Sequence, residues 1–206
     1  MPAYLMLLAA LAADCPPFSK GSTGGDYYNG EDAKGLAVVE AFHFGPQVEA
    51  LLRGMSGTLG GDIAYTLEHF PNHPRALAAM ARLGLRAKKV QVPGAHHTVE
   101  CYFTRAIAFV PSDGAARALF GAYLLSLKRD ADAIGQLRAA LDIQPGDAAA
   151  WYNLGLAHVR RKDWPAALDA AHKAYGLGFP LPGLRQQLKA AREWREPDSL
   201  DAVVAH

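Results

Sequence analysis

Two stretches of the chain match one another at a shift of 34 residues, and this limits the fold more than any other feature. Pro111 aligns with Pro145, Asp113 with Asp147, Gly121 with Gly155, Ala133 with Ala167 and Ala140 with Ala174. Phe120 matches Leu154, while Leu137 matches Ala171. Repeats of this length are supersecondary units that cannot bury their apolar faces alone, so they stack on neighbours. Each unit reads as two helical patterns broken by a polar turn, Lys128-Arg129 in one and Arg161-Lys162 in the other. Gly121 and Gly155 are expected to let the helices of a hairpin approach closely, with Ala133, Ala140, Ala167 and Ala174 facing them. Leu124, Leu137 and Leu141 fill the space between. Asp113 and Asp147 are placed to cap first helices, and Asp130 and Asp163 second helices. Pro165 suits the first turn of a helix, while Pro111 and Pro145 stop the helices before them.

These positions resemble the tetratricopeptide repeat (TPR) family. Unit 145–179 carries the resemblance on Trp151, Leu154, Gly155, His158, Ala167, Ala171 and Ala174. Unit 111–144 carries it on Arg117, Phe120, Gly121, Leu124, Ala133, Leu137 and Ala140, with Pro145 following. His158 stands where the family usually has Tyr, Ala171 where it often has Phe or Tyr, and Arg117 where it has Trp. Upstream, 74–110 resembles a degenerate unit: Met80 and Ala81 hold the Leu-Gly positions, Phe103 and Ala106 lie in its second helix, and KKVQVPGAH lengthens its turn. Before it, 45–73 resembles a half or divergent unit, its first helix opened by Pro46 and its second lying in GDIAYTLEHFPNH. Leu184, Leu188 and Ala191 share a stripe of 182–192, which reads as a capping helix. The resemblance implies an all-α fold over 45–195, a right-handed superhelix of antiparallel helix hairpins with a C-terminal capping helix and a tail at 196–206. The chain as a whole resembles small exported bacterial TPR proteins, a likeness that implies no activity.

Residues 1–13 hold an apolar run of signal-sequence length, with Ala10-Leu11-Ala12 as a small-x-small cleavage pattern. The expected location is therefore periplasmic or exported. The alternative is a cytoplasmic protein in which 1–13 is a structural helix. Residues 14–44 read as an irregular arm, with Tyr27 and Tyr28 as its anchors. An exported chain keeps disulfides, so Cys15 and Cys101 read as one bridge; the alternative is two free thiols.

The 21 Lys and Arg nearly cancel the 20 Asp and Glu, which leaves a formal charge of +1. That balance disfavours non-specific nucleic-acid binding, which needs excess positive charge. With half its residues apolar, the chain is not of disordered type either. No apolar run reaches the roughly 20 residues of a membrane-spanning helix, so no integral membrane segment is expected in the mature chain.

The loop GMSGTLGGD at 54–62 presents two readings. Its backbone N–H groups suit a phosphate, but it lacks a Lys-Ser/Thr ending. Otherwise it is a turn in which Asp62 or Thr58 caps the next helix. Among the histidines, His69, His73 and His96 with Cys101 suggest a metal site, and Cys101 beside His96 or His97 suggests a thiolate with a base. Ser56 has no evident Asp-His partner. The favoured expectation is no enzyme, no metal and no cofactor; the alternative is a metal-binding or enzymatic protein using the His/Cys-rich region around the expanded loop.

By the family positions, first helices line a concave groove. That implies a peptide-binding set of Arg75, Arg82, Ala118, Ala122, Leu125, Tyr152, Asn153, Leu156 and Arg160, hence a protein or peptide partner with an apolar centre and an acidic group. The rival is a groove filled by the chain's own Tyr-rich arm or C-terminal helix.

Overall fold

The structure is a computed structural model that describes residues 15–19 and 24–196. The expected signal sequence at 1–13 and the tail from 197 lie outside the described residues. Among the described residues all regular structure is helical: a 3-10 turn at Gly30–Asp32, then α1 (Ala33–His43), α2 (Pro46–Glu49), α3 (Leu59–His69), α4 (Pro74–Ala87), α5 (Val99–Phe109), α6 (Gly114–Ser126), α7 (Asp130–Ile143), α8 (Ala148–Arg160), α9 (Trp164–Gly176) and α10 (Gly183–Ala190). The chain forms two compact units, 1–116 and 117–206. No helix among the described residues is long and apolar enough to cross a membrane.

The fold is repeat-like at the level of its junctions. Helices α4, α6 and α8 each end at a lysine in left-handed backbone, Lys88, Lys128 and Lys162, with φ of 54°, 62° and 58°. At each, the next residue's N–H reaches back to a carbonyl of the last turn: Lys89 to Gly84, Arg129 to Leu124, Asp163 to His158. This closure satisfies carbonyls that a helix end otherwise leaves open. The other junction also recurs. Phe70, Val110 and Gln144 end α3, α5 and α7 with φ of −126°, −127° and −128°. Three residues later a side chain caps the next helix: His73 accepts from the Ala76 N–H, Asp113 from Ala116 and Asp147 from Ala150. A neutral imidazole thus does at 73 what carboxylates do at 113 and 147.

In unit 2 the expected close approaches are present, one with a different partner. A Cβ added at Gly121 would lie 2.6 Å from Leu137 Cγ, so this glycine admits α7 as the repeat pattern implies. At Gly155 the atom met is Leu184 Cδ2 on α10, at 2.4 Å; that glycine admits the terminal helix rather than its own hairpin partner. Leu184 and Leu188 are fully buried with Ala167, Ala171 and Ala174. Asp163 caps α9, but Asp130 caps nothing: it is the first residue of α7 and takes an ion pair from Arg160 instead. The C-terminal helix ends at Ala190, short of the expected 192.

Two expectations for unit 1 are corrected. Part of the supposed irregular arm, 14–44, is the eleven-residue helix α1. The helix expected after Pro46 is a single turn, because Leu51 turns left-handed at φ 57° and closes it. The arm itself is tied down by polar contacts. Gly25 N–H donates to His69 O, Tyr27 N–H to Asn72 Oδ1, and Asn72 Nδ2 to Asp26 Oδ1. Tyr27 packs on the His73 ring, while Tyr28 is exposed. Cys15 and Cys101 form a disulfide with Cα atoms 5.4 Å apart. Beside it Phe18 meets Phe109 edge-on and Arg105 donates to Pro16 O.

Candidate functional site

The groove residues fall into two sets. Arg75 and Arg82 lie on α4 in unit 1; the others lie on α6 and α8 in unit 2. Their arginines are committed within the chain. Arg75 pairs with Glu40 and Glu49. Arg82 donates to Glu49 O and Arg86 to Leu51 O, closing the carbonyl end of α2. Arg160 does the same for α6 through Leu125 O, with Asp130 as its ion-pair partner.

Tyr152 is also occupied. It is 9% exposed, its ring lies 4.4 Å from that of Phe179, and its hydroxyl would meet a Cβ at Gly183. Leu156 packs against the same core. The segment leading into α10 therefore covers the ring that was expected to stand free, and the C-terminal helix fills this part of the surface. Leu125 is buried, while Ala118, Ala122 and Asn153 remain half-buried.

The glycine-rich loop does cradle an anion, and the anion is its own Asp62. The N–H groups of Met55, Ser56 and Gly57 all donate to the Asp62 carboxylate, as does His43 through Nδ1 at 2.9 Å. Burial pushes the Asp62 pKa up, but the His43 bond and the backbone donors outweigh it and hold it below the usual carboxylate value. Gly60 serves a close approach. A Cβ at Gly60 would lie 2.2 Å from Pro93 O, where the expanded loop crosses the start of α3. The cap of α3 is Thr58. Ser56 Oγ donates to Phe42 O, so it is not aligned on the His43–Asp62 pair.

The His/Cys region does not converge as a metal or thiolate site. Cys101 is bonded to Cys15. His96 pairs with Glu68, and His97 Nε2 accepts from Arg105. Among the described residues no group of three or more His, Cys, Asp or Glu is placed to hold a metal ion. His73 is fully buried between the rings of Tyr27 and Phe44, with Nε2 donating to Glu40 and Nδ1 accepting from the backbone. Burial lowers its pKa against the opposing pull of Glu40.

What unit 1 offers instead is an open cleft of about 450 Å³ between α1, α2 and the start of α4. Ala37, Ala41, Phe44, Pro46 and Met55 supply apolar walls, and the Glu40–Arg75–Glu49 cluster forms a polar edge. Next to it on α1 stand Val38 at 52% and Phe42 at 62% exposure. Both sides of the helix carry apolar residues. Val39 faces the core, and Ala37, Val38, Ala41 and Phe42 face solvent, with the exposed Lys34 one turn before Val38 on the same side.

No protein-family model matches the chain, and no curated protein matches it. The site therefore stands on its own geometry. Sequence reasoning missed it because 33–43 was read as irregular. The legible signal was the spacing of Leu36, Val39, Glu40 and His43, the inward stripe of a helix that also carries Ala37, Val38, Ala41 and Phe42.

Proposed function

We propose that the protein is an exported helical-repeat module of the TPR type that docks a segment of another protein, and that the α1–α2–α4 cleft is where it docks. One observation carries this reading: a patch of exposed apolar side chains on α1, Ala37, Val38, Ala41 and Phe42, with Lys34 at its N-terminal end, beside a cleft with apolar walls. Val38 and Phe42 are about half exposed, so burying the rest against a partner yields roughly 1–2 kcal/mol each, more than an exposed ion pair at the edge. Clusters of exposed apolar side chains rimmed by charge mark interaction sites. The recurrent left-handed lysines and capped junctions support the TPR assignment, and the disulfide supports export, since such bonds persist in oxidising compartments. Phe42→Glu places a charge on the patch without touching the core. In pull-downs from an envelope extract of the source cells, a protein bound by the parent is expected to be lost from Phe42→Glu and retained by Gln186→Glu on α10. Equal recovery by both variants would refute docking at this cleft.

A further inference from the structure

At the C-terminal corner of unit 2 one arginine stands against aromatic rings rather than a carboxylate. Arg185, on α10, is half-buried. Its guanidinium carbon lies 4.5 Å from the centroid of the Tyr175 ring and 4.9 Å from that of Trp194. The two rings meet at 76° with centroids 6.0 Å apart, so they form two walls of a corner around the cation. The corner is built rather than incidental. Tyr175 OH accepts from the Arg185 backbone N–H and donates to Leu181 O. His172 meets Trp194 edge-on, and its Nε2 bonds to Arg195 O, which fixes the chain carrying the indole. Yet among the described residues no carboxylate answers this charge, and Arg185 Nε is buried without a hydrogen-bond partner.

A guanidinium flanked by two aromatic rings is weakly hydrated and restricted in orientation, so its outer N–H groups are prepared for a planar anion. Shielding also strengthens any ion pair formed there. We propose that the Tyr175–Arg185–Trp194 corner is a receptor for the carboxylate side chain of an acidic protein segment. One unpaired positive charge fits one carboxylate. Glu196, bonded to Trp194 Nε1 at 2.9 Å, keeps a negative group at the rim and disfavours a doubly charged phosphate. Leu181 is 55% exposed at the tip of Tyr175, so an apolar neighbour of the acidic residue is accommodated as well. Trp, Tyr and Arg are the side chains on which binding energy concentrates. This receptor is independent of the cleft on α1.

The test uses the full disulfide-bonded chain and two capped peptides, Ac-Leu-Glu-Leu-NH2 and Ac-Leu-Gln-Leu-NH2, with inorganic phosphate as a third probe. Two-dimensional NMR follows the Trp194 indole and Arg185 Nε–H signals. The Glu peptide should shift both saturably, with the Gln peptide weaker by about tenfold or more. Arg185→Met, which keeps the packing stem, should remove the difference between the peptides at the indole signal. Arg185→Lys should weaken the Glu peptide, because an ammonium lacks the planar fork. Trp194→Leu, which leaves the charge and removes one wall, should weaken it too. Equal shifts from both peptides, a phosphate response matching that of the Glu peptide, or an unchanged response in Arg185→Met would overturn the proposal.

Discussion

Replacing Gly155 with alanine should be destabilising in the parent and stabilising once Leu184 is shortened. A Cβ at 155 would sit 2.4 Å from Leu184 Cδ2, 3.3 Å from Cδ1 and 3.4 Å from Cγ. Carbon atoms in good contact lie about 3.5–4.0 Å apart, so the first of these is short by roughly 1 Å. Leu184 has nowhere to retreat, because it is fully buried among Leu188, Ala167, Ala171 and Ala174. Overpacking of this kind costs about 1–3 kcal/mol. The better helix propensity of alanine returns about 1 kcal/mol, so the net loss is about 1 kcal/mol. Leu184→Ala alone leaves a cavity and costs about 2–5 kcal/mol. In that background the new methyl meets open space, and Gly155→Ala should gain about 1 kcal/mol. The coupling between the two sites is then about 2 kcal/mol, well outside the additivity expected of unrelated positions. Urea unfolding of the four proteins reads this directly. With a slope of about 2 kcal/mol/M, each kcal/mol moves the midpoint by roughly 0.5 M. If Gly155→Ala shifts the midpoint equally in both backgrounds, Leu184 is not what the glycine accommodates.

Cys15→Ser with Cys101→Ser opens a loop closed across 86 residues and should cost about 4–5 kcal/mol by chain entropy; thiol counting on denatured, unreduced parent should find no free thiol. Asp62→Asn removes the carboxylate that collects the Met55, Ser56 and Gly57 N–H groups, and a loss of about 1–3 kcal/mol is expected, with faster hydrogen exchange at those amides. Because the Asp62 pKa lies below its unfolded value, its contribution is present above about pH 4 and is lost as pH falls through the folded pKa. His73, His97 and His158 are all lowered chiefly by burial, so the unfolded chain binds more protons; stability should decline as pH drops below about 6.5, and His73→Asn, which keeps a capping side chain, should flatten that slope.

The 34-residue register made the hairpins of 111–179 legible, since Asp113, Asp147, Gly121 and the interior alanines each have one local role. The left-handed lysines were not legible, because lysine has no preference for positive φ and the backbone there follows from helix closure. The covering of the expected groove was hidden for a different reason. The family positions point Tyr152 and Arg160 into a groove, but Phe179, Gly183 and the Leu125 carbonyl reach them from other segments of the chain. Contacts of that range leave no local pattern. Likewise His73 has the sequence context of a metal ligand, and only its burial against Glu40, Tyr27 and Phe44 makes it a cap.

The central claim is that the outer patch of α1 meets another protein. A photoreactive amino acid placed at Ala41, beside the cleft, and separately at the exposed Ala131 of α7, tests this in the source cells. After irradiation, the Ala41 variant should yield one discrete adduct larger than the chain that contains a second, different protein, and Ala131 should not. An Ala41 adduct made only of two copies of this chain, or no adduct at Ala41, would contradict it.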